Sequence, residues 1–370
     1  MRFSVENNDL SKALNIVSKA VSSKSTSSAL QCVYFEATDN ILTLKATDGE
    51  LSIVTTVEAD VTQEGRTIIT LKTLFDLIRT FPSERVFFDI DEVNYSVNIS
   101  CATLEINLLA MDPTSFPLFE KVSVDSMITV DNEVFRDLIR ECVFCCAPSI
   151  SVNPVITGIN IELEENGIIC TALDGYKMSV RKQQLDNPGI VDKDIIVPGR
   201  IMNEVLKIVS LYDDPVCFGV QNNRFVIDIG ETQIMSNLIE GTYINYRGLI
   251  PSTINTVVKL GKNELMASIE RAGLMVTSVE NSMVKLVIED DRLIISSSSV
   301  IGTISESIGI SKTGNDIKIA FNVRYLSELI KNIKDERIIL EFRDSNSPCL
   351  IKPVDDDRFT FLVMPVRYID

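Results

Sequence analysis

The 370-residue sequence contains no histidine. Without an imidazole, the chain cannot form Ser-His or Cys-His nucleophile pairs, histidine metal ligands or the usual proton shuttle of neutral pH. It also has no apolar run of 18 residues, and its first ten residues, "MRFSVENNDL", include no apolar signal segment. We therefore expect a cytoplasmic protein that has no membrane partner, because such runs are what enters or spans a bilayer.

Basic residues are outnumbered, with 35 Lys and Arg against 52 Asp and Glu and a formal charge of -17. This balance argues against a generally basic nucleic-acid surface. A local basic patch is not excluded, because charges further apart than the Debye length, about 10 Å at 0.1 M salt, are largely screened from one another.

Cysteine is the remaining residue type that often forms metal or redox sites. The eight cysteines lie mostly inside apolar runs such as "ECVFCCAP", which is typical of reduced, buried small hydrophobes. Cys142 and Cys145 have C-x-x-C spacing, but no second such pair completes a four-cysteine zinc site. We expect no metal and no other cofactor.

Three segments share one pattern of charge and hydrophobicity: "KTLFDLIRTF" from Lys72, "RIMNEVLKIV" from Arg200 and "RYLSELIKNI" from Arg324. Each has basic residues at its first and eighth positions and an acidic residue at its fifth. At about 100° per residue these charges share one face of a helix, opposite four shared apolar positions. One such helix would be typical of an ordinary solvated face with i, i+4 pairing, but three copies favour a shared function.

The three segments lie 128 and then 124 residues apart, so the repeating unit is a whole domain. Each copy opens with a strand and an amphipathic helix and continues with a hairpin of two β-branched runs. Boundaries at the turn-rich "MDPTSFPLFEKV" and "YRGLIPST" divide the chain into residues 1–121, 122–248 and 249–370. Each third is predicted to be an α+β domain with two helices and many strands.

Two Asp-Gly pairs, Asp48-Gly49 and Asp174-Gly175, could supply catalytic carboxylates. They fall at the same place in the first two copies, just after the second strand of the hairpin, and the third copy has two serines there. A turn explains the recurrence, because Asp caps turns and Gly adopts positive φ. A carboxylate-pair hydrolase is the enzymatic alternative, and repetition without a unique constellation weighs against it, so no catalytic residue is predicted.

The motifs "ATDG", "LDGYKMSV", "VPGRIMNEVL", "LIEGTYINYRGLIP", "RAGLMV" and "FLVMPVR" occur in this order across the whole chain. Together they resemble the β subunit of bacterial DNA polymerase III, the sliding-clamp family. The resemblance implies three tandem DNA-clamp domains, with helices facing a central hole and sheets outside, that a head-to-tail homodimer closes into a six-domain ring. It also implies a non-catalytic processivity factor that encircles double-stranded DNA at the nucleoid without sequence preference. A three-domain interaction scaffold that never encircles DNA is the alternative.

The resemblance implies that a set of basic side chains faces DNA. They are Lys24, Lys72, Arg79, Arg136, Arg140, Arg200, Lys207, Arg324 and Lys331. Because a ring is retained by topology, these contacts need only be loose and sequence-independent, and the acidic fifth position of each repeated helix would limit the positive field. The 148–154 loop lacks the basic and aromatic residues that the family often carries there, which leaves its contact with DNA open.

The resemblance also implies an apolar cleft between the second and third domains. It would bind short linear motifs of the clamp loader, the DNA polymerase III catalytic subunit, other polymerases and repair proteins. Its predicted lining is Ile156, Leu173, Gly175, Tyr176, Lys177, Met178, Ile244, Leu249, Leu362, Val363, Met364, Pro365, Val366 and Arg367. The chain departs from the family pattern at Tyr176, Ile244, Gly248 and the tail "YID", so we expect a different rim. Alternate residues of "FLVMPV" are also typical of a buried edge strand.

Ring closure requires the first domain of one copy to meet the third domain of the other. The resemblance places Ile106 and Leu108 against the partner's Leu274 and Met275. On sequence alone, apolar residues such as these four are more often found in the core.

Overall fold

The computed structural model describes most of the chain. The described residues are 1–22, 27–148, 153–185, 193–275, 282–300, 302–354 and 356–367. Among them are six α-helices and 26 β-strands. They form two compact units, one of Met1–Phe135 with Glu204–Leu238 and one of Arg136–Asn203 with Ile239–Asp370.

The strands and helices follow nearly the same order in each third of the chain. The first third contains β1 (Arg2–Glu6), α1 (Asn7–Val17), β2 (Cys32–Thr38), β3 (Ile41–Thr47), β4 (Leu51–Glu58), β5 (Asp60–Gln63), β6 (Gly65–Thr70), α2 (Leu71–Ile78), β7 (Arg85–Ile90), β8 (Ser96–Cys101) and β9 (Leu104–Leu109). The second contains β10 (Ile128–Val130), α3 (Asn132–Val143), β11 (Gly158–Glu164), β12 (Gly167–Leu173), β13 (Lys177–Gln184), β14 (Lys193–Pro198), α4 (Gly199–Val209), β15 (Val216–Gln221), β16 (Arg224–Ile229) and β17 (Thr232–Asn237).

The last third contains β18 (Thr256–Gly261), α5 (Lys262–Gly273), β19 (Met283–Glu289), β20 (Arg292–Ser299), β21 (Gly302–Gly309), β22 (Ser311–Gly314), β23 (Ile317–Asn322), α6 (Val323–Lys331), β24 (Arg337–Phe342), β25 (Cys349–Pro353) and β26 (Phe359–Val363). Each copy therefore has two helices in equivalent places. Only β5 and β22 have no counterpart among the described residues of the second copy. The predicted triplication of an α+β unit is confirmed.

The second helix of each copy, α2, α4 or α6, is amphipathic as the repeated pattern predicts. Ten of its twelve shared apolar positions are buried: Leu74, Ile78, Phe81, Met202, Val205, Val209, Leu326, Leu329, Ile330 and Ile333. Leu77 and Leu206, the other two, are half-buried. Burying one full side of each helix stabilises it far more than helix propensity alone, at about 1.5–3 kcal/mol for each fully buried aliphatic side chain.

Four antiparallel sheets carry the strands, in the orders β5-β1-β7-β8-β9, β10-β15-β16-β17-β4-β3-β2-β6, β14-β11-β12-β13-β26-β25-β24-β18-β22 and β21-β20-β19-β23. The first two belong to the first compact unit and the last two to the second. Both larger sheets join neighbouring copies. In one, β17 pairs with β4, and in the other, β26 pairs with β13. At each junction the last strand of one copy pairs with the fourth strand of the copy before it.

The segment that connects the first two copies, residues 110–127, packs on the junction between β4 and β17. We call it the first linker. Phe116 packs on Tyr34, with ring centroids 5.4 Å apart, and Phe119, Val122 and Val124 pack on a buried cluster from both copies: Val54, Val226 and Met235. The buried Lys45 ammonium also lies 3.1 Å from the Glu120 carboxylate.

Residues 238–255 connect the second and third copies in the same way, and we call them the second linker. Their apolar side chains are Tyr243, Ile244, Tyr246, Ile250 and Ile254. These pack against strand residues of the two copies: Ile169, Leu173, Met178, Val180, Leu350 and Leu362. Each linker therefore covers one face of the junction that it spans.

Both Asp-Gly pairs form the same turn. The Asp48 carboxylate accepts hydrogen bonds from the backbone N–H groups of the second and third residues after it, at 3.0 and 2.8 Å. The Asp174 carboxylate does the same, with both bonds at 2.9 Å. Gly49 and Gly175 have φ of +94° and +93°, a conformation that strongly favours glycine. The prediction of a turn is confirmed, and neither carboxylate is available as a free catalytic group.

The two turn glycines give a test of this assignment. A Cβ at Gly49 or Gly175 would meet no atom within 4 Å, so Gly49→Ala and Gly175→Ala change only the backbone strain. We expect each to lower the free energy of unfolding by roughly 1 kcal/mol. Gly309→Ala is the matched control, because that site is equally open and lies in a strand. Urea unfolding checks this, and equal stability of all three variants would contradict it.

Candidate nucleic-acid and peptide interfaces

The first and eighth positions of the repeated helices all reach solvent. The exposed residues are Lys72, Arg79, Arg200, Lys207, Arg324 and Lys331. On α6, the Asn322 side chain caps the helix by accepting a hydrogen bond from the Arg324 backbone N–H at 2.9 Å, so Arg324 lies in the first turn. The structure therefore places the six basic residues of the repeated pattern on the solvent-facing side of these amphipathic helices.

The acidic fifth position differs between the copies. Glu204 pairs with Lys207 at 2.8 Å within its own helix, as the pattern predicts. Glu328 instead pairs with Lys177, which lies outside the stripe, at 2.5 Å. The carboxylate of Glu328 is therefore directed toward Lys177 and not toward the basic residues of its own helix. Exposed pairs such as Glu204–Lys207 are worth about 0–1 kcal/mol and can exchange partners.

The remaining basic residues are more constrained or fall outside the described part of the chain. Arg136 and Arg140 on α3 are both half-buried. The Arg140 guanidinium lies 3.0 Å from the Asp137 carboxylate and 3.3 Å from the Glu141 carboxylate. Lys24 and residues 149–152 lie outside the described residues. Arg140 is therefore partly balanced by acidic neighbours, as are Lys207 and Lys331 of the stripe, which lie 2.8 Å from Glu204 and 3.4 Å from Glu270.

The predicted peptide cleft coincides with the second linker and divides into a floor and a rim. Leu173, Met178 and Leu362 form the buried floor, and Ile156 and Ile244 pack on it half-buried. The rim is exposed and consists of Gly175, Tyr176, Leu249, Met364, Val366 and Arg367. Tyr176 is the most exposed of its large apolar side chains, at 58%. Exposed apolar groups around a buried apolar floor are typical of a binding surface.

The segment after β26 is fixed by backbone hydrogen bonds. The Met364 N–H donates to the Tyr176 carbonyl and the Val366 N–H to the Ala320 carbonyl, both at 2.8 Å. Pro365, which has no N–H to donate, lies half-buried between them. Two backbone anchors therefore hold the exposed Met364 and Val366 side chains in place.

Two of the predicted lining residues do not face the cleft. Met178 lies opposite Leu362 across the β13–β26 ladder, and Lys177 lies opposite Val363. Because successive side chains of a strand point to opposite faces, Lys177 and Val363 cannot share the face on which Met178 and the second linker pack. Lys177 instead donates a hydrogen bond to the Phe144 carbonyl at 2.5 Å, on the side of the helices. The prediction that Lys177 and Val363 line the cleft is wrong.

The structure adds rim residues that the sequence pattern does not reveal. Tyr325 of α6 stacks on Tyr176, with ring centroids 5.2 Å apart and planes 14° from parallel. Beside Gly248, the Arg247 guanidinium lies 2.5 Å from Glu162 and 4.8 Å from the centre of the Tyr246 ring. The Tyr176–Tyr325 and Arg247–Glu162 contacts join segments distant in sequence, so no local motif could have indicated them.

The four predicted dimer residues are not in the core. Ile106 and Leu108 are half-buried on β9, which has a neighbouring strand on one side only among the described strands. Leu274, just after α5, is 76% exposed, and Met275 is half-buried. Partial exposure at a sheet edge is what an interface residue requires, so the core interpretation of these residues is wrong.

All eight cysteines are free thiols, and six are buried. Burial raises the pKa of Cys142 to about 12 and raises that of Cys170 well above its ordinary value, which keeps these thiols protonated and unreactive. In the described ranges, no three His, Cys, Asp or Glu side chains are grouped so that they could hold a metal ion. The same ranges contain no helix with the length and apolar character of a membrane span.

Three tandem α+β repeats joined by shared sheets define the clamp class of folds. Sequence profiles of the N-terminal, central and C-terminal domains of the DNA polymerase III beta subunit match residues 1–120, 129–245 and 247–367 in turn. The chain therefore belongs to the DNA polymerase III beta subunit family, which consists of sliding clamps without catalytic activity.

Individual relatives agree along the full length. The chain is 30% identical over 379 residues to the beta sliding clamp of Staphylococcus epidermidis, with 99% of both proteins covered. It also matches a putative DNA polymerase III beta subunit from Eubacterium rectale, with 29% identity and a TM-score of 0.94, and the Bacillus subtilis DNA polymerase sliding clamp, with 25% identity and a TM-score of 0.95. Both structural matches cover 100% of each chain.

The burial of the Asp174 carboxylate in its turn can be tested by measuring stability as a function of pH. Burial raises the pKa of Asp174 above its ordinary value of 3.8, despite the two backbone N–H donors and Lys177. The folded state then binds this proton more tightly than the unfolded state does, so the carboxylate costs stability as pH rises through the raised pKa. Asp174→Asn keeps a hydrogen-bond acceptor in the turn but carries no charge. We expect its free energy of unfolding to rise relative to that of the parent as the pH increases from 3.8 through the raised pKa of Asp174.

Urea unfolding across a pH series measures this difference, and Asp48→Asn, in the same turn of the first copy, is the matched control. If Asp174→Asn instead lost stability relative to the parent over the same rise of pH, the raised pKa of Asp174 would be contradicted.

Proposed function

We propose that the protein is a DNA sliding clamp that encircles duplex DNA as a head-to-tail homodimer and tethers the replicative polymerase for processive synthesis. The main support is the pattern of sheet junctions. The last strand of the second copy, β17, pairs with β4, and the last strand of the third copy, β26, pairs with β13. By the same rule, the last strand of the first copy, β9, requires the fourth strand of a third copy, β21.

That partner strand can come from a second molecule. Among the described strands, β9 and β21 each have a neighbour on one side only, at the edges of a five-stranded and a four-stranded sheet. Pairing β9 of one molecule with β21 of the other would give a nine-stranded sheet, equal in size to the larger existing junction sheet. Two molecules form two such seams, so the assembly closes with neither β9 nor β21 left without a neighbouring strand.

The surface charges are compatible with DNA inside such a ring. Each copy exposes two basic residues on its second helix, in spite of a formal charge of -17 for the whole chain. The attraction to phosphates is then local and screened. Retention would come from topology, and weak contacts would let the protein slide. We propose domains of residues 1–121, 122–248 and 249–370, whose boundaries fall within the two linkers.

The apolar cleft at the second linker would bind partner proteins. We propose that the clamp loader, the DNA polymerase III catalytic subunit and other polymerases or repair proteins each insert a short linear motif there. The exposed Met364 supports this, because a flexible thioether side chain over a buried apolar floor can accommodate several related peptides, and the exposed Val366 adds apolar contact area beside it. In this way the protein would act on chromosomal DNA at the nucleoid through binding alone.

Topological retention on DNA is the experiment that tests the function. After loading by the cognate clamp loader, we expect the protein to remain on nicked circular plasmid and to leave the same plasmid once it is cut to a linear form. Raising the salt concentration should weaken phosphate contacts without releasing the protein from the circle. Gel filtration of the loaded complexes measures retention, and equal loss from both DNA forms would reject an encircling ring in favour of a scaffold.

The dimer interface is tested separately. Leu274→Lys combined with Met275→Ala places a charge where a largely exposed apolar side chain would be buried against the partner, which is costly without a counter-charge. We expect sedimentation to give the 41.2 kDa protomer mass for this variant and twice that mass for the parent. Leu118→Lys, at a 56% exposed apolar residue of the first linker, should remain a dimer. Dimer mass for both variants would refute the interface.

A further inference from the structure

Lys177 is a buried cation that the cleft does not use. Its side chain is 5% exposed, and its ammonium lies 2.5 Å from Glu328 and 3.9 Å from Asp174. It also donates to the carbonyl of Phe144, just after α3, and lies 5.3 Å from the centre of that ring. A buried ammonium is costly without such partners, so Lys177 holds together the Asp-Gly turn, the end of α3 and helix α6.

The Asp-Gly turn and helix α6 also meet at the surface, next to the buried contact. Tyr176 directly precedes Lys177, and Tyr325 lies one helical turn before Glu328 on α6. Their rings stack with centroids 5.2 Å apart. The turn and α6 are therefore connected by a buried ionic contact and, beside it, by an exposed aromatic contact. A single aromatic pair contributes only about 0.5–1.5 kcal/mol beyond its buried area, which is little to fix a helix against a turn.

The second and third copies each supply one side of these contacts. Lys177 and Glu328 are 151 residues apart and belong to copies that also meet through the β13–β26 ladder, the backbone bond from Met364 to Tyr176 and the ion pair between Lys334 and Asp137. None of these three contacts joins a side chain of the turn to helix α6. The first copy has Leu51 at the place of Lys177, because each is the third residue after the aspartate of its Asp-Gly turn.

We propose that Lys177 is a positioning residue of the peptide interface: by holding α6 against the Asp174 turn, it keeps Tyr176 and Tyr325 stacked as one fixed aromatic wall of the rim. Lys177 itself does not touch the peptide. The wall presents a flat ring face to an apolar or aromatic side chain of the bound motif. This inference rests on the proposed function of the cleft as the polymerase-binding site.

The first measurement needs no ligand. With the full-length protein labelled with 3-fluorotyrosine, the ¹⁹F resonances of the two stacked rings are assigned with Tyr176→Phe and Tyr325→Phe. We expect Lys177→Met to move both resonances toward the position of a solvent-exposed fluorotyrosine. Lys182→Met is the matched control, because Lys182 is an exposed lysine of the same strand, and its spectrum should equal that of the parent.

Glu328→Ala removes the other side of the ion pair. Glu328 is 44% exposed, so we expect this variant to fold. It therefore tests the Lys177–Glu328 pair even if Lys177→Met does not fold. We expect it to shift the same two resonances. In the double variant the shifts should be no larger than in either single variant, because both changes break one interaction. Additive shifts would overturn the proposed pair.

The second measurement is binding to the immobilised DNA polymerase III catalytic subunit of the same organism. We expect about tenfold weaker binding for Lys177→Met and for Tyr176→Ala, parent-like binding for Lys182→Met, and an unchanged dimer mass for all three. Unchanged fluorine resonances in Lys177→Met would overturn the inference and leave the proposed function intact. Shifted resonances with parent-like binding would overturn the positioning role. Failure of the parent to bind would overturn the proposed cleft itself.

Discussion

The backbone hydrogen-bonding groups at the edge of a β-sheet need partners, and the architecture of this protein follows from how it supplies them. Each repeat ends in a strand that pairs with the fourth strand of the repeat before it, so β17 meets β4 and β26 meets β13. Repeats joined in this way are parts of common sheets and not beads on flexible linkers. The rule leaves β9 and β21 as the equivalent edges, and in the proposed dimer each satisfies the other.

Because the sheets provide the connections between repeats, the helices are free to carry charge. The second helix of each copy buries its apolar side and exposes basic residues at its first and eighth positions. Its acidic residue makes different contacts in different copies. Glu204 stays within its own helix, pairing with Lys207, whereas Glu328 pairs with Lys177 of the preceding copy. One repeated position thus serves local charge balance in one copy and contact between copies in another.

The features that could be predicted from the sequence each have a local signal. Amphipathic period indicates the helices, and Asp-Gly indicates the two turns, whose glycines have φ of +94° and +93°. Strand alternation also predicts that Lys177 and Met178 face opposite sides of the sheet. It does not indicate which side the second linker covers, so the sequence could not show that Lys177 faces away from the cleft. The Lys177–Glu328 pair joins residues 151 positions apart, so neither residue has a nearby pattern that indicates the other.

The two linkers have a consequence for how the proposed ring would open. Phe119 and its neighbours shield the β4–β17 seam from water, and Tyr246 and its neighbours shield the β13–β26 seam. A seam between β9 and β21 joins separate chains, so no linker of either kind crosses it. Such a seam would have no linker covering one of its faces, so its hydrogen bonds would be more accessible to water than those of the two internal seams. We expect a strained ring to open there and to leave each three-domain half intact.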